Sequence, residues 1–488
     1  MSLSTALNNA LSGLNVSTRE AELVATNIAN AQTPGYTTRT AELSAVIVGD
    51  TGAGVRVTGV TLVENAAAIA ERRRADAALA LGSTEAGGLA MITDLMGLPG
   101  SGTALADRAA AFETALMAAA NDPASDHRLA EAVADGAHYA EAIAALSTET
   151  QSARLAADTE IAGQVALVNQ NLQSIEMLNR EIQMRSFAGG DASALVDARK
   201  ALIDEVSAIL PIRSATRPHG AVALFTENGA TLIDGQAATL GFSPTATITQ
   251  DMTLASGALS GLTLDGRPFG IGASDRSGAG DGGSLGALFV LRDTTMPAIA
   301  DQLDRLAEDL VQRFQAAGLD PSRAPGDPGL FTDGGAFYDP ANRSGLAGRI
   351  ELNAAVVPSA GGMPSRLRDG LGATGPGEIG DARLLSELYS AARAPRLADP
   401  ALGISGSRGL SEMAAGLTSL MSSRQQRAEQ AMGHAAALHS TLRDAELSVS
   451  GVNTDTQMQK LLLVEQSYAA NAFVLSTIDD MIRRLMEI

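Results

Sequence analysis

Apolar and small residues recur through the first thirty positions at alternating steps of four and three: Leu3, Leu7, Ala10, Leu14, Ser17, Ala21, Val24 and Ile28. That spacing predicts a helix built for a coiled coil. The last segment repeats it through Leu461, Val464, Tyr468, Asn471, Leu475, Ile478, Ile482 and Leu485, with Asn471 the single polar member. Each seam covers about 26 residues, or roughly 39 Å of helix, and the simplest inference is that the two ends of the chain pair. Pairing leaves a surplus, because Leu11, Val16 and Leu23 in the first segment and Leu462, Leu463 and Phe473 in the last lie off the seams. Those side chains need a second partner.

Between the ends, helical periodicity runs through 61–97, 103–120, about 128–185 and 191–209, stopping at Pro211. The period then changes. AVALFTENGATLIDGQAATLGF predicts a hairpin around Asn228-Gly229, and GLTLDGRPFGIG a second around Asp265-Gly266, so 211–282 is expected to be a small β-rich unit. Helical spacing returns from Met296 to Phe314, an irregular Pro/Gly-rich stretch with short strand candidates such as RIELN fills about 318–380, and helices resume at 381–393 and 407–447. The expected fold is therefore mainly α with a small β-rich insert, helices leading out to the insert and back from it. The expected domains are a terminal coiled-coil unit of 1–33 and 452–488, a discontinuous helical bundle of 34–210 and 283–451, and the β-rich domain 211–282.

Length and charge sharpen this picture. A chain of 488 residues exceeds one ordinary core. Its 55 acids against 35 bases give a formal net charge of −20, which disfavours nucleic acid or an anionic membrane as partner. Residues 1–40 balance Arg19 and Arg39 against Glu20 and Glu22, and the last segment is only slightly acidic, so nearly all of the excess falls in the middle. The ends are free to pack against copies of themselves. No Cys is present, which excludes disulfides, a thiol nucleophile and Cys-ligated zinc. The N-terminus lacks the basic start and apolar run of a cleaved secretory signal, and no unbroken apolar stretch is long enough to suggest membrane insertion.

Candidate chemistry is sparse. GAGDGG at 278–283 spells a dinucleotide-type pattern through Gly278, Gly280 and Gly283, but no hydrophobic strand precedes it, and it reads as a linker. Ser284 fits GxSxG, yet the nucleophile elbow requires a strand before it and a suitably placed Asp and His after it. The five His (His127, His138, His219, His434 and His439) lack metal-ligand spacing, and with only Lys200 and Lys460 there is no phosphate-binding GxxxxGK loop. His434 and His439 read as packing in an Ala/Leu helix, and the run Arg72 to Arg74, flanked by Glu71 and Asp76, as a solvated helix face. No catalytic, cofactor-binding or metal site is expected.

A dipeptide near the N-terminus has clearer mechanics. Pro34 stops the first helix near Ala31, Gly35 permits a left-handed turn and Tyr36 restarts an extended chain. The stretch SLSTALNNALSGLNVSTREAELVATNIANAQTPGYTTR, above all Asn27, Ile28, Ala29, Asn30, Thr33, Pro34, Gly35 and Tyr36, resembles the N-terminal signature of flagellar rod, hook and hook-associated axial proteins. SGVNTDTQMQKLLLVEQSYAANAFVLSTIDDMIRRL, with Gly451, Asn453 and Tyr468, resembles the C-terminal signature of the same group. TPGY followed by Arg39, together with the length and the β insert, is more like the hook-associated protein 1 branch, at the junction of hook and filament, than like hook or rod subunits.

The resemblance implies a non-enzymatic structural adaptor that self-associates in a ring. Its implied partners are the hook protein, the second hook-associated junction protein and a flagellar export chaperone. It further implies export through the flagellar type III apparatus to an extracellular site without a cleaved signal peptide. The expected assembly interface is Leu3, Leu7, Leu14, Val24, Ile28, Leu461, Val464, Tyr468, Leu475, Ile478, Ile482 and Leu485. Two other readings remain open at this point: another axial subunit such as a hook protein, and an enzyme or surface-binding module within 211–380.

Overall fold

The computed structural model describes residues 3–48, 51–270 and 282–486. The chain opens with α1 (Leu3–Ala29), followed by a ribbon of β1 (Arg39–Val48) and β2 (Thr51–Leu62). Four helices come next: α2 (Ala66–Met96), α3 (Leu105–Asn121), α4 (Asp126–Phe187) and α5 (Ser193–Ile209). The short strands β3 (Ile212–Thr216), β4 (Val222–Thr226), β5 (Thr231–Asp234), β6 (Gln236–Ala237), β7 (Leu240–Gly241), β8 (Thr263–Leu264) and β9 (Arg267–Pro268) form two small antiparallel sheets, ordered 3-4-5-6 and 7-8-9. After α6 (Gly283–Val290) and α7 (Met296–Gln315), β10 (Phe331–Asp333) and β11 (Ile350–Leu352) pair. The short α8 (Leu346–Arg349) and α9 (Arg366–Asp369) interrupt the irregular stretch there. α10 (Arg383–Arg393), the minimal pair β12 (Arg396–Leu397) and β13 (Ser407–Arg408), α11 (Leu410–Ser450) and α12 (Thr454–Met486) complete the chain.

The mainly helical class, the central strands and the packing of α1 on α12 match the reading of the sequence. Both hairpins form where expected. Asp265 and Gly266 both adopt positive φ, at 50° and 76°, as a two-residue turn between twisted strands requires. One expectation fails: helical periodicity was expected from residue 61, whereas β2 runs to Leu62 and α2 begins at Ala66, where the Asn65 side chain accepts from the Ala67 and Ala68 amides. The Ala-rich run 66–70 carries an apolar pattern that extends formally backwards into the strand, and only the cap marks the boundary. The ribbon itself was not foreseen.

Two apolar cores lie along α4, whose 62 residues span about 93 Å. The first is built on its N-terminal half with α3, α7, α10 and the start of α11; there the rings of Phe112, Phe314 and Phe331 meet at centroid distances of 5.3 to 5.7 Å. The second joins its C-terminal half to α5, α6 and the strands, through Ile161, Val168, Leu172, Ile203, Leu224, Ile233 and Phe289. The strands thus share their core with helices. A buried polar cluster sits between the two cores. Arg292, on a widened π-helical turn between α6 and α7, donates to Asp158 Oδ1 at 2.6 Å and to Asp293, and is stacked against Phe289 at 4.9 Å. Arg154, also without solvent exposure, donates to the carbonyls of Arg292, Thr249 and Met252.

Removing one partner of such a pair strands the other in a low-dielectric site. Arg292→Met is expected to destabilise the protein by about 3 to 5 kcal/mol, read as a lower urea midpoint. Arg292→Met combined with Asp158→Leu should recover much of the loss.

Candidate functional site

The residues of the N-terminal signature converge on one corner, where α1 ends, the ribbon begins and α11 gives way to α12. Asn27 is buried at its centre. Its Nδ2 donates to the Arg39 carbonyl at 2.9 Å and to Gln457 Oε1 at 3.1 Å, while its Oδ1 accepts from the Arg39 amide at 3.0 Å and from Tyr36 Oη at 2.9 Å. One amide therefore ties the end of α1, the TPGY turn, the start of β1 and α12. Asn30 Nδ2 caps back onto the Thr26 carbonyl, and Thr33 Oγ1 donates to Asn30 Oδ1 at 3.3 Å. Pro34 and Gly35 are exposed, and Gly35 has φ 80°, the left-handed turn expected of it. The Arg39 guanidinium lies 4.7 Å over the Tyr36 ring and reaches Asp197 on α5 at 2.9 Å.

The C-terminal signature completes the same corner. The Thr38 amide and Oγ1 donate to the carbonyls of Ser450 and Gly451, each at 2.9 Å. Gly451 has an ordinary φ of −70°, but an added Cβ would lie 2.5 Å from the Leu447 carbonyl oxygen, so the break between α11 and α12 needs glycine for space. Asn453, exposed, accepts from the Thr456 amide and starts α12.

Under this corner lies an ion lattice that sequence reading missed. Arg72 on α2 meets Glu446 of α11 at 2.5 Å, Asp76 at 2.5 Å and Asp204 of α5 at 2.7 Å. Arg73 also reaches Asp204, Lys200 reaches Glu446 at 2.6 Å, and His439 Nε2 lies 2.8 Å from Asp76. The reading of Arg72 to Arg74 as a solvated face is corrected: Arg72 and Arg73 are buried and only Arg74 is exposed. His439 likewise belongs to this lattice. Its partners come from three helices far apart in sequence, so no local pattern could have shown them. Burial works against the charge of Glu446, but Lys200 and Arg72 outweigh it and hold the carboxyl below its ordinary value. At Asp76 burial prevails over Arg72 and His439 and the carboxyl is pushed up. A cleft of about 470 Å³ opens between this lattice and the TPGY turn.

The expected seam residues are placed along the α1–α12 pair, which is antiparallel: Asn27 meets Gln457, and Gly13 meets Asn471. Val24, Val464 and Ile478 are buried; Leu3, Leu7, Leu14, Ile28, Leu461, Leu475 and Ile482 are half-buried. Tyr468 and Leu485 stand 48% and 66% exposed. Of the surplus side chains, Val16 and Leu23 are buried, with the β1–β2 ribbon packed on α1 beside α12, so their second partner lies within the chain. Leu11, Leu462, Leu463 and Phe473 remain exposed, Phe473 at 72%. An 18-residue window within Leu410–Met486 reaches a mean hydropathy of 1.2 with 11% of it buried, enough by length and composition to cross a membrane. The expectation of no such segment counted unbroken apolar runs, whereas a mean tolerates interspersed charges.

The weaker motifs gain nothing here. Ser284 lies in the first turn of α6, where its hydroxyl donates to Gln164 at 2.9 Å, and Gly278 and Gly280 lie outside the described residues. Among the described residues no group of three or more His, Asp or Glu is arranged to hold a metal ion.

Comparison with known proteins agrees with the corner and the helical body. Residues 444–488 match the family model of the flagellar basal body rod FlgEFG protein C-terminal region, a flagellar axial class. Residues 89–330 match the model of the flagellar hook-associated protein FlgK helical domain. The chain belongs to the flagellar hook-associated protein FlgK family, a family of structural proteins. The structure of the flagellar hook junction protein FlgK from Burkholderia pseudomallei is similar at 21% identity and a TM-score of 0.44, over 55% of this chain and 47% of that one. The chain thus spans about half the length of that solved structure. No curated protein matches the sequence.

Because the Glu446 carboxyl is held below the ordinary 4.5, its stabilisation is fully present above that value and is lost as pH falls through the folded-state value. Glu446→Gln is expected to cost about 3 kcal/mol at pH 7, with the gap to the parent narrowing below about pH 4.5 when unfolding is followed by circular dichroism.

Proposed function

We propose that this chain is the adaptor between hook and filament, assembling as one ring through packing of its α1–α12 pairs, with the helical body and the strands facing outward. The observation that carries the reading is the apolar surface left uncovered on the terminal pair: Leu462, Leu463, Phe473 and Leu485 on α12, with Leu11 on α1. Large apolar side chains left exposed along one helix pair mark a binding surface. A second copy of the chain fits it, because the terminal segments carry little net charge while the body is strongly acidic.

Energetics give the pair a reason to wait for neighbours. Fully burying a large apolar side chain contributes roughly 1.5 to 3 kcal/mol, whereas ordering backbone costs about 1 to 2 kcal/mol per residue. A pair that leaves this much apolar surface in water gains its remaining stability on assembly. The reading extends to export in an unfolded state without a cleaved signal, to an extracellular position, and to contacts with the hook protein, the second hook-associated protein and an export chaperone. It also retains the division into a terminal assembly unit of 1–33 and 452–488, a body of 34–210 and 283–451, and an outer β-rich part of 211–282.

Leu462→Asp and Phe473→Asp are expected to leave the thermal unfolding of the monomer within about 0.5 kcal/mol of the parent. Both should abolish incorporation at the junction, seen as hooks without filaments by electron microscopy. Normal filaments on cells carrying either change would refute the assignment, and long tubes made from the chain alone would identify a hook-type subunit instead. Hydrogen exchange on the dilute monomer should show the paired ends 3–29 and 454–486 opening and exchanging faster than α4; protection of both ends equal to that of α4 would contradict coupling of order to assembly.

A further inference from the structure

We infer that two polar contacts fix the register of α1 on α12: the Gly13–Asn471 notch and the Asn27–Gln457 hydrogen bond. A Cβ built at Gly13 would lie 2.6 Å from Asn471 Nδ2, so the asparagine side chain occupies the space that any larger residue would fill. Asn471 Nδ2 donates back to the Ser467 carbonyl at 3.0 Å, which holds the amide on its own helix as a peg. Two heptads away on both helices, Asn27 Nδ2 meets Gln457 Oε1 at 3.1 Å. The intervals on the two helices are equal, so both contacts close in the same antiparallel register.

The apolar seam cannot make this choice. Its residues repeat every seven positions on both helices, so sliding one helix by a heptad again places seam against seam. In one such slip Asn471 comes opposite Glu20 and Asn27 opposite Val464; in the other, Asn27 comes opposite Ser450 and Val464 opposite Gly13. Both slips withdraw Asn471 from the notch, set a branched apolar residue (Ile478 or Val464) against Gly13 and break the amide pair. An asparagine on an apolar seam that selects one register among apolar alternatives is an established use of such residues, and Asn471 stands half-buried in that position.

A third contact holds α1 at the same level from another side. Ser12 Oγ accepts from the Val55 amide at 3.2 Å, and a Cβ at Gly54 would come within 2.2 Å of that oxygen. The ribbon therefore seats α1 against axial movement where Asn471 enters. Register decides which apolar side chains align along the terminal pair, and hence the surface offered to a neighbour. The inference rests on the pairing of α1 with α12 and holds whether or not a ring forms.

The cysteine-free chain allows a direct test. In the native register Ala6 is level with Ile478, and after a one-heptad slip with Leu485. Full-length Ala6→Cys/Ile478→Cys and Ala6→Cys/Leu485→Cys proteins are oxidised in dilute solution, and intramolecular disulfides are counted by mass spectrometry after proteolysis. The first should cross-link at least tenfold more than the second. Adding Asn471→Leu and Gln457→Leu to both should raise the slipped product to a comparable yield, while circular dichroism confirms that helix content is kept. A slipped product that stays at its parental level in that background would overturn the inference. Absence of cross-linking in both parents would overturn it together with the terminal pairing, whereas a normal register lock in a protein that fails to incorporate would count against the junction assignment alone.

Discussion

The carboxylate of Glu446 takes Arg72 and Lys200 on its two oxygens, and the course of the C-terminal end depends on that contact. It binds α11 to α2 and α5 within about one turn of the point where α11 breaks, so the start of α12 is fixed in direction before α12 has a partner of its own. Buried charges of this kind are stabilising only as a complete set, because each partner removed leaves another desolvated and unpaired. Asp76, Asp204 and His439 close the set around the guanidinium of Arg72. The ion lattice ends here.

Immediately above it the chain changes its manner of holding together. The corner at Asn27 uses neutral hydrogen bonds to backbone and amide groups, and beyond it the α1–α12 pair relies on an apolar seam that covers only part of its own surface. The share of buried side chains therefore falls from the body towards the tips. Such a gradient suits a subunit whose body must be finished before assembly and whose ends must remain available to neighbours.

The middle of the molecule follows a different constraint. α4 is too long to be covered by one core, and it is clad by helices at one end and by helices with strands at the other. Arg292 and Arg154 occupy the junction, where the helical turn widens and the carbonyls of 249 and 252 would otherwise face apolar surroundings. The strands are thereby joined to the body by a shared core and a polar clasp.

Much of this was legible from periodicity. The terminal seams, the long central helices and the two hairpins with Asn-Gly and Asp-Gly turns follow from side-chain spacing and from the φ preferences of glycine and proline, which are properties of a few adjacent residues. The signature around Asn27, Pro34 and Tyr36 marked the corner before its geometry was known. What spacing could not supply were meetings between distant positions: the ribbon taking Val16 and Leu23, the burial of Arg72 and Arg73, and His439 facing Asp76. An arginine next to glutamate on a helix reads as solvated because most are, and only the approach of α5 and α11 removes the water. Local physics in the sequence thus determined the long helices, the two central hairpins and where the apolar faces of the terminal helices lie, though not the β1–β2 ribbon. The tertiary structure decided which charges are buried, which apolar faces are satisfied within the chain and which stay exposed, because burial depends on contacts between residues hundreds of positions apart.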